Sequence, residues 1–297
     1  MFSLRTLSLL LIAAVSVFSF SCVSQKKVAV IKRDLSVADS QLLQYDKSLS
    51  ELEAKKKTKQ EHNAIDDTAS AHIQRFIDNT KTEISQLHGE NTILIGNTEV
   101  NKADWDRLRK GLSNSRHSSK NINDKILLLT DLINRNMVID LDQDVIFQPG
   151  KYIVSKEVAG AIGKFFEPAA KEIDMFTQKY PDFPLSLVIT TKGYADGTSI
   201  VEGSQLYKDL SESLKLSGKT PDSKDLNKEL SVKRAMAVKE LFENYTKDRS
   251  VKGGTVKNVL YLYEGKGEAF PNPTITDYKV DDPRRRVVLL FWSIFPE

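Results

Sequence analysis

Cysteine is nearly absent: Cys22 is the sole one in 297 residues. No internal disulfide and no multi-cysteine metal centre can form within one chain. Histidine is scarce too. His62, His72, His88 and His117 all lie in the N-terminal half, so a triad or zinc centre built on histidine within the C-terminal half is excluded by inventory. No proline precedes Pro149, which removes the strongest helix breaker from the N-terminal half. No apolar run reaches the roughly 20 residues of a membrane-spanning helix. Neither sign of charge dominates: 43 Lys and Arg stand against 40 Asp and Glu, a net +3, too mild to imply a nucleic-acid partner.

What is present begins with a targeting pattern. Arg5 supplies a positive start, and Leu9 to Phe20 is an uncharged, mostly apolar run broken by Ser16 and Ser19. Ser21 then places a small residue before Cys22. A run this short suits a signal peptide better than a membrane span. The pattern resembles a bacterial lipoprotein signal, with residues 1–21 removed and Cys22 acylated, although Ser19 and Phe20 depart from the usual lipobox. An uncleaved membrane anchor is the other reading.

From Val28 the apolar residues Val28, Ile31, Leu35, Ala38, Leu42, Tyr45, Leu49 and Leu52 alternate at three and four positions. That is the seam of a heptad repeat. A second helical pattern carries Ala69, Ile73, Phe76, Thr80, Ile84 and Leu87. A third runs from Trp105 through Leu108, Leu112, Ser115, Ser119, Ile122, Ile126 and Leu129 to Ile133. Residues 22–135 are therefore expected to form a helical stalk, either an antiparallel hairpin or an intermolecular coiled coil; the other reading is a helical layer packed on the C-terminal domain.

At Met137 the periodicity changes. A strand is expected from Met137, then a turn at Pro149-Gly150, a helix over Ser155 to Lys179, and a strand from Leu185 to Thr191. A helix over Ser231 to Tyr245 follows, with Ser231 as its N-cap. Two last strands cover Val259 to Tyr263 and Arg286 to Trp292. The expected fold class is α+β: long N-terminal helices, then a βαβαββ sheet over 137–297 with helices on one face.

Four elements in this half, in order, resemble the OmpA-like C-terminal domain, the peptidoglycan-binding module also found in MotB and Pal. Asp144-Val-Ile-Phe-Gln-Pro-Gly is similar to its opening strand and turn, and Gly193-Tyr-Ala-Asp-Gly to its Gly-His-Thr-Asp element. Asn227-x-x-Leu-Ser-x-x-Arg-Ala-x-x-Val matches its helix signature, and Gly265-Lys-Gly-Glu, Pro271 and Arg285-Arg-Val resemble its final hairpin. The resemblance implies non-catalytic binding of the diaminopimelate residue of a peptidoglycan stem peptide. It assigns the ligand's amino and carboxylate groups to Asp196 and Arg234, and the motif asparagine to Asn227. Tyr194 and Ala195 replace the family's His and Thr, and residues 198–226 are an insertion carrying Leu206, Leu210 and Leu214 on one helical face.

The residue chemistry agrees with that assignment. A zwitterionic ligand needs one anion and one forked cation, and arginine provides bidentate recognition that lysine cannot. If Ser231 caps the helix, Arg234 stands in its first turn, where a cation opposes the helix dipole and a ligand carboxylate would meet free N–H groups. The alternative is that Asp196 and Arg234 simply pair with each other. For Arg284-Arg285-Arg286 the simplest expectation is a solvated strand end paired with Asp281 or Asp282. Together these features predict a lipoprotein of the outer membrane, anchored at Cys22 and facing the periplasm, that tethers this membrane to the wall. Peptidoglycan and the membrane are the expected partners, and the helical region leaves self-association or an envelope protein open. No nucleic acid, cofactor, metal or catalysis is expected. The competing expectation is an envelope scaffold whose helices and 198–226 insertion bind other proteins.

Overall fold

A computed structural model of the chain describes residues 24–97, 101–135, 137–148, 150–214, 221–247 and 256–296. The signal segment 1–21, Cys22, Pro149 and residues 215–220 of the expected insertion lie outside the described residues. The protein is mixed α and β. It divides into two compact units, one holding the chain up to Leu52 with Ile77–Leu128, the other Glu53–Phe76 with everything from Leu129 onward.

Three long helices run through these segments: α1 (Gln25–Glu61), α2 (Asp67–Gly96) and α3 (Lys102–Asn134). In the first unit the heptad seam is buried, with Leu35, Leu42 and Leu49 at 0% exposure. It is covered by the chain's own α2 and α3, through Ile77, Ile84, Leu87, Leu108, Leu112 and Ile122. Each such aliphatic side chain contributes about 1.5–3 kcal/mol on leaving water. Polar contacts fix how the helices sit together. Asp39 meets His88 of α2 at 2.8 Å, and Asp34 meets Arg116 of α3 at 2.9 Å. Ser115 interrupts the third seam because its buried hydroxyl accepts from Asn91 Nδ2 at 3.1 Å. The seams are thus filled within one chain, as an antiparallel three-helix bundle.

The second unit is built on a four-stranded sheet of β1 (Val138–Asp142), β2 (Leu185–Gly193), β3 (Val256–Gly265) and β4 (Val287–Pro296), in the order β1-β4-β2-β3. β2 and β3 are parallel, and β4 runs antiparallel to both β1 and β2. Four helices belong to this unit: α4 (Gln143–Ile146), α5 (Lys156–Lys179), α6 (Gln205–Leu214) and α7 (Ser223–Lys247). A parallel neighbour requires a crossover, and α7 lies in the one between β2 and β3. Phe166 of α5 meets Phe242 of α7 edge-on at 4.9 Å, both fully buried.

Two expectations are corrected. The helix carrying Arg234 begins at Ser223, not at Ser231. Asp222 Oδ1 accepts from the Asp225 amide at 2.8 Å and Asp225 Oδ2 from the Asp222 amide at 3.2 Å, a reciprocal box that starts the helix two turns earlier. The sheet, moreover, is covered on both faces. Thr191 Oγ1 donates to the Ala235 carbonyl of α7 at 2.8 Å. The next residue, Lys192, points the other way and meets Asp67, at the start of α2, at 3.6 Å. His72 of α2 stacks on Phe295 at 4.2 Å. The first turns of α2 therefore supply a second layer, and β2 and β4 are buried along nearly their whole length.

Candidate ligand-binding site

The site forms where β2 and β3 end and β4 begins, beneath the middle of α7. Glycine is required at both strand ends. A Cβ on Gly193 would lie 2.1 Å from the Ser231 carbonyl, and one on Gly265 2.5 Å from Ser231 Oγ and the Val232 amide. Helix and strand backbones approach closely here, as only glycine allows. Ser231 is the fastening: its hydroxyl donates to the Lys228 carbonyl at 2.6 Å and accepts from the Gly267 amide at 2.9 Å. Its role is to tie the β3–β4 connection to α7, not to cap the helix.

One turn further on, Arg234 is buried at 7% exposure. Its partners are neutral. Nη1 donates to Gln143 Oε1, Nε donates to the Lys151 carbonyl at 3.2 Å, and the guanidinium lies 5.4 Å from the centre of the Phe147 ring. Among the described residues no carboxylate stands within ion-pair distance of it. Burial pushes its pKa down to about 10, against the fields of Asp144 and Asp196, while Arg286 adds to the depression. A guanidinium held this way is under-compensated, because neutral acceptors only partly replace water around a buried charge.

Gln143 organises the pocket. Its Nε2 donates to the carbonyls of Tyr194 at 2.6 Å and Val287 at 2.8 Å, and its own amide donates to the Arg286 carbonyl at 3.0 Å. Asp142 starts this short helix by accepting from the Asp144 amide at 2.9 Å. The end of β1 is thereby pinned to the start of β4, beside the turn after β2.

Asp196 is buried beside that turn, and its partner is Arg286. Arg286 Nη1 donates to Asp196 Oδ2 at 3.0 Å, and Nη2 to Asp144 Oδ2 at 2.7 Å. The hydrogen bonding of its guanidinium to Asp144 is the largest cause that raises the Arg286 pKa. Asp196 Oδ1 also accepts from the Thr198 amide at 3.1 Å. Asn227 is buried and donates to the Thr198 carbonyl at 3.2 Å and to Glu268 Oε1 at 2.9 Å, which holds the loop after Asp196 against the β3–β4 connection.

The structure thus brings Asp196 and Arg234 to one site without pairing them directly, and places Asn227 beside the loop between them. Arg234 lies well inside α7, so neither the helix dipole nor the free N–H groups of a helix start act on it. The three consecutive arginines have three different fates. Arg284 pairs with Asp282 at 2.6 Å and Asp277 at 3.2 Å. Arg285 is buried, donating to the carbonyls of Glu268, Lys279 and Val280. Arg286 joins the site. Sequence reasoning missed Gln143, Phe147 and Arg286 as members of it; the only available signal was that Asp144-Val-Ile-Phe and Arg285-Arg-Val each lie inside a recognised element. The described part of the expected insertion packs on the domain, with Leu210 fully buried against Leu226 and Leu230 of α7.

Among the described residues no group of three or more His, Cys, Asp or Glu is placed to hold a metal ion, and no helix is long and apolar enough to cross a membrane. Compared with protein-family models and with curated proteins, the chain matches none.

Proposed function

We propose that the sheet unit is an OmpA-like module that binds the diaminopimelate part of a peptidoglycan stem peptide without cleaving it, in a lipoprotein anchored at Cys22 that tethers the outer membrane to the wall. The observation that carries this reading is the buried guanidinium of Arg234, held by neutral partners, with Asp196 at the same site. A ligand carboxylate would give Arg234 the acid it lacks, in the bidentate geometry that suits a guanidinium. The ligand's ammonium would replace one arm of Arg286 at Asp196, and Arg286 would keep Asp144. No charge is left bare in that exchange. The strand–helix order supports the reading as well, since the crossover from β2 to β3 carries both the Gly193-Tyr-Ala-Asp turn and the Asn227 to Val238 signature.

The test is co-sedimentation with purified diaminopimelate-type peptidoglycan. The wild-type chain is expected in the pellet, and Asp196→Asn and Arg234→Lys in the supernatant, each checked by circular dichroism for a native fold. Arg234→Lys keeps the charge and loses the fork, so it separates recognition from simple loss of the pocket. Retained binding by both folded variants sinks the assignment.

A second reading, an envelope scaffold, is favoured by one observation. β3 is a ten-residue edge strand exposing Val259, Leu260 and Tyr263, and an unprotected apolar edge is a template for pairing with another chain. The insertion supports it less, because its apolar face is used internally.

A further inference from the structure

We infer that the end of the helical bundle where α1 begins is a docking surface for an anionic phospholipid bilayer. At this end the start of α1, the end of α2 and the start of α3 converge on one small core. Val28, Leu35, Leu108 and Leu112 are its buried members, with Ile31, Leu94, Ile95 and Trp105 packed around them. The core does not close over. Ile93 is 76% exposed, and Val30 is exposed at 49%. Between α2 and α3 lies a groove of about 380 Å³, lined by Ile93, Leu94 and Gly111 together with Glu90, Arg107 and Lys110. A Cβ on Gly111 would meet Leu94 Cδ1 at 2.3 Å, so the small residue lets the two helices come together there.

The charge around this end is one-sided. The first turns of α1 carry Lys26, Lys27, Lys32 and Arg33 against the single acid Asp34, which pairs with Arg116. The first turns of α3 carry Lys102, Arg107, Arg109 and Lys110 against Asp104 and Asp106. Lys26, Lys27, Arg109 and Lys110 are exposed. The chain as a whole is only +3, so much of its positive excess gathers here. Exposed aliphatic side chains ringed by lysine and arginine are the composition of a surface that lies on headgroups: the apolar groups enter the interface, and the cations meet lipid phosphates.

The choice of occupant rests on the chain itself. α1 starts at Gln25, and the apolar run Leu9 to Phe20 and Cys22 precede it by only a few residues. Whether that segment anchors as an acylated cysteine or as an apolar helix, a bilayer holding it lies next to this end of the bundle. A basic patch beside such an anchor adds its own attraction to anionic headgroups. The inference rests on the proposed function only in placing the chain at an envelope membrane. It does not use the peptidoglycan site.

The experiment uses the chain from residue 22 onward with Cys22→Ser, which retains every described element and carries no acyl group to the bilayer. It is floated with vesicles of phosphatidylcholine, with and without phosphatidylglycerol. The expected result is flotation with phosphatidylglycerol only, lost in high salt. Each neutralised cation costs about fivefold in partitioning, so Lys26→Gln/Lys27→Gln and Arg109→Gln/Lys110→Gln each weaken it by about 25-fold. Ile93→Ser weakens it further. All these substitutions are at exposed positions, and circular dichroism checks the fold. Flotation independent of phosphatidylglycerol, no flotation, or flotation unchanged in both double variants overturns the inference. So does self-association abolished by Ile93→Ser without vesicle binding, which would make the groove a contact between copies. Peptidoglycan co-sedimentation of the same variants is expected to be unchanged, so a failed membrane result and a failed wall result are distinguishable.

Discussion

Two guanidinium groups stand at one site in the field of the same two acids, and their surroundings are opposite. Arg234 is buried and touches a glutamine, a carbonyl and an aromatic ring. Arg286 keeps about a third of its side chain exposed and bridges Asp144 and Asp196. The first charge was taken out of water without an acid to receive it, and the second was given two acids while still in reach of water. Burial without an acid costs stability, and proteins accept such costs mainly where the group has work to do. Bridging at a half-exposed strand end costs little and returns little. Under the proposed function, Arg234 is the group that receives the ligand's anion, and Arg286 the group that holds Asp196 until a cation arrives.

The largest effect is expected from Gln143→Ala. It removes the acceptor beside Arg234 and the donor to two carbonyls at once. Hydrogen bonds to charged groups contribute about 1.5–3 kcal/mol, and a buried carbonyl left bare adds more. A loss of about 3 kcal/mol in urea unfolding is expected. A loss below about 1 kcal/mol would show that Arg234 finds water or another acceptor, and the contrast with Arg286 would collapse.

Gly193→Ala breaks the comparison from the other side. The new Cβ would meet the Ser231 carbonyl, and relieving that contact displaces α7 and carries Arg234 away from Gln143. The Arg286 pairs are set by β1, β4 and the turn after β2, and they do not depend on α7 directly. Overpacking of this kind costs about 2 kcal/mol. Peptidoglycan binding is expected to fall with stability here. A variant that binds normally would show that the helix position is not what sets the pocket.

How far this was legible beforehand differs between regions for physical reasons. The bundle could be read because its seams repeat: Leu35, Leu42 and Leu49 recur at sevens and are fully buried. The sheet was read in kind but not in layering. Leu185-Ser-Leu-Val-Ile-Thr-Thr-Lys-Gly shows no clean alternation because both faces are covered, and Lys192 looks solvent-facing until Asp67 and the Phe291 ring are placed beside it. Asp196 and Arg234 stood out because each sits in a short local pattern. Gln143 and Arg286 did not, since their roles come from antiparallel pairing that sets Asp142 opposite Val287 across a large sequence gap. The helix start was misplaced because Ser231 has the right residue type for a cap, and the Asp222–Asp225 box lies just outside the recognised signature.

A pH experiment sharpens the contrast more gently. Burial holds the Arg234 pKa near 10, well below its ordinary value. A base depressed on folding is a cost at neutral pH, and this cost is relieved as pH rises through the folded value toward the unfolded one. The unfolding free energy of wild type relative to Arg234→Met is therefore expected to rise between about pH 9 and pH 11, by up to about 1 kcal/mol. Arg286 is shifted the other way, so the same difference for Arg286→Gln stays flat. A flat profile for both would mean that Arg234 is better solvated than its burial implies.

The smallest stability change, and the most telling for binding, belongs to Arg286→Gln. Its two ion pairs are partly exposed, so losing them is expected to cost less than about 1 kcal/mol in unfolding. Asp196 is then left without its resident cation and becomes the better seat for a ligand ammonium. Co-sedimentation with peptidoglycan is expected to be retained or to rise, by a few-fold at most, because the ammonium no longer competes with a tethered guanidinium. In Arg286→Gln/Asp196→Asn binding is expected to be lost, as in Asp196→Asn alone, since the acid that received the ammonium has gone. A loss of binding in the single variant would reverse the roles of the two arginines. Arg286 would then be the group that holds the ligand carboxylate, and Arg234 a buried support for the turn that presents it.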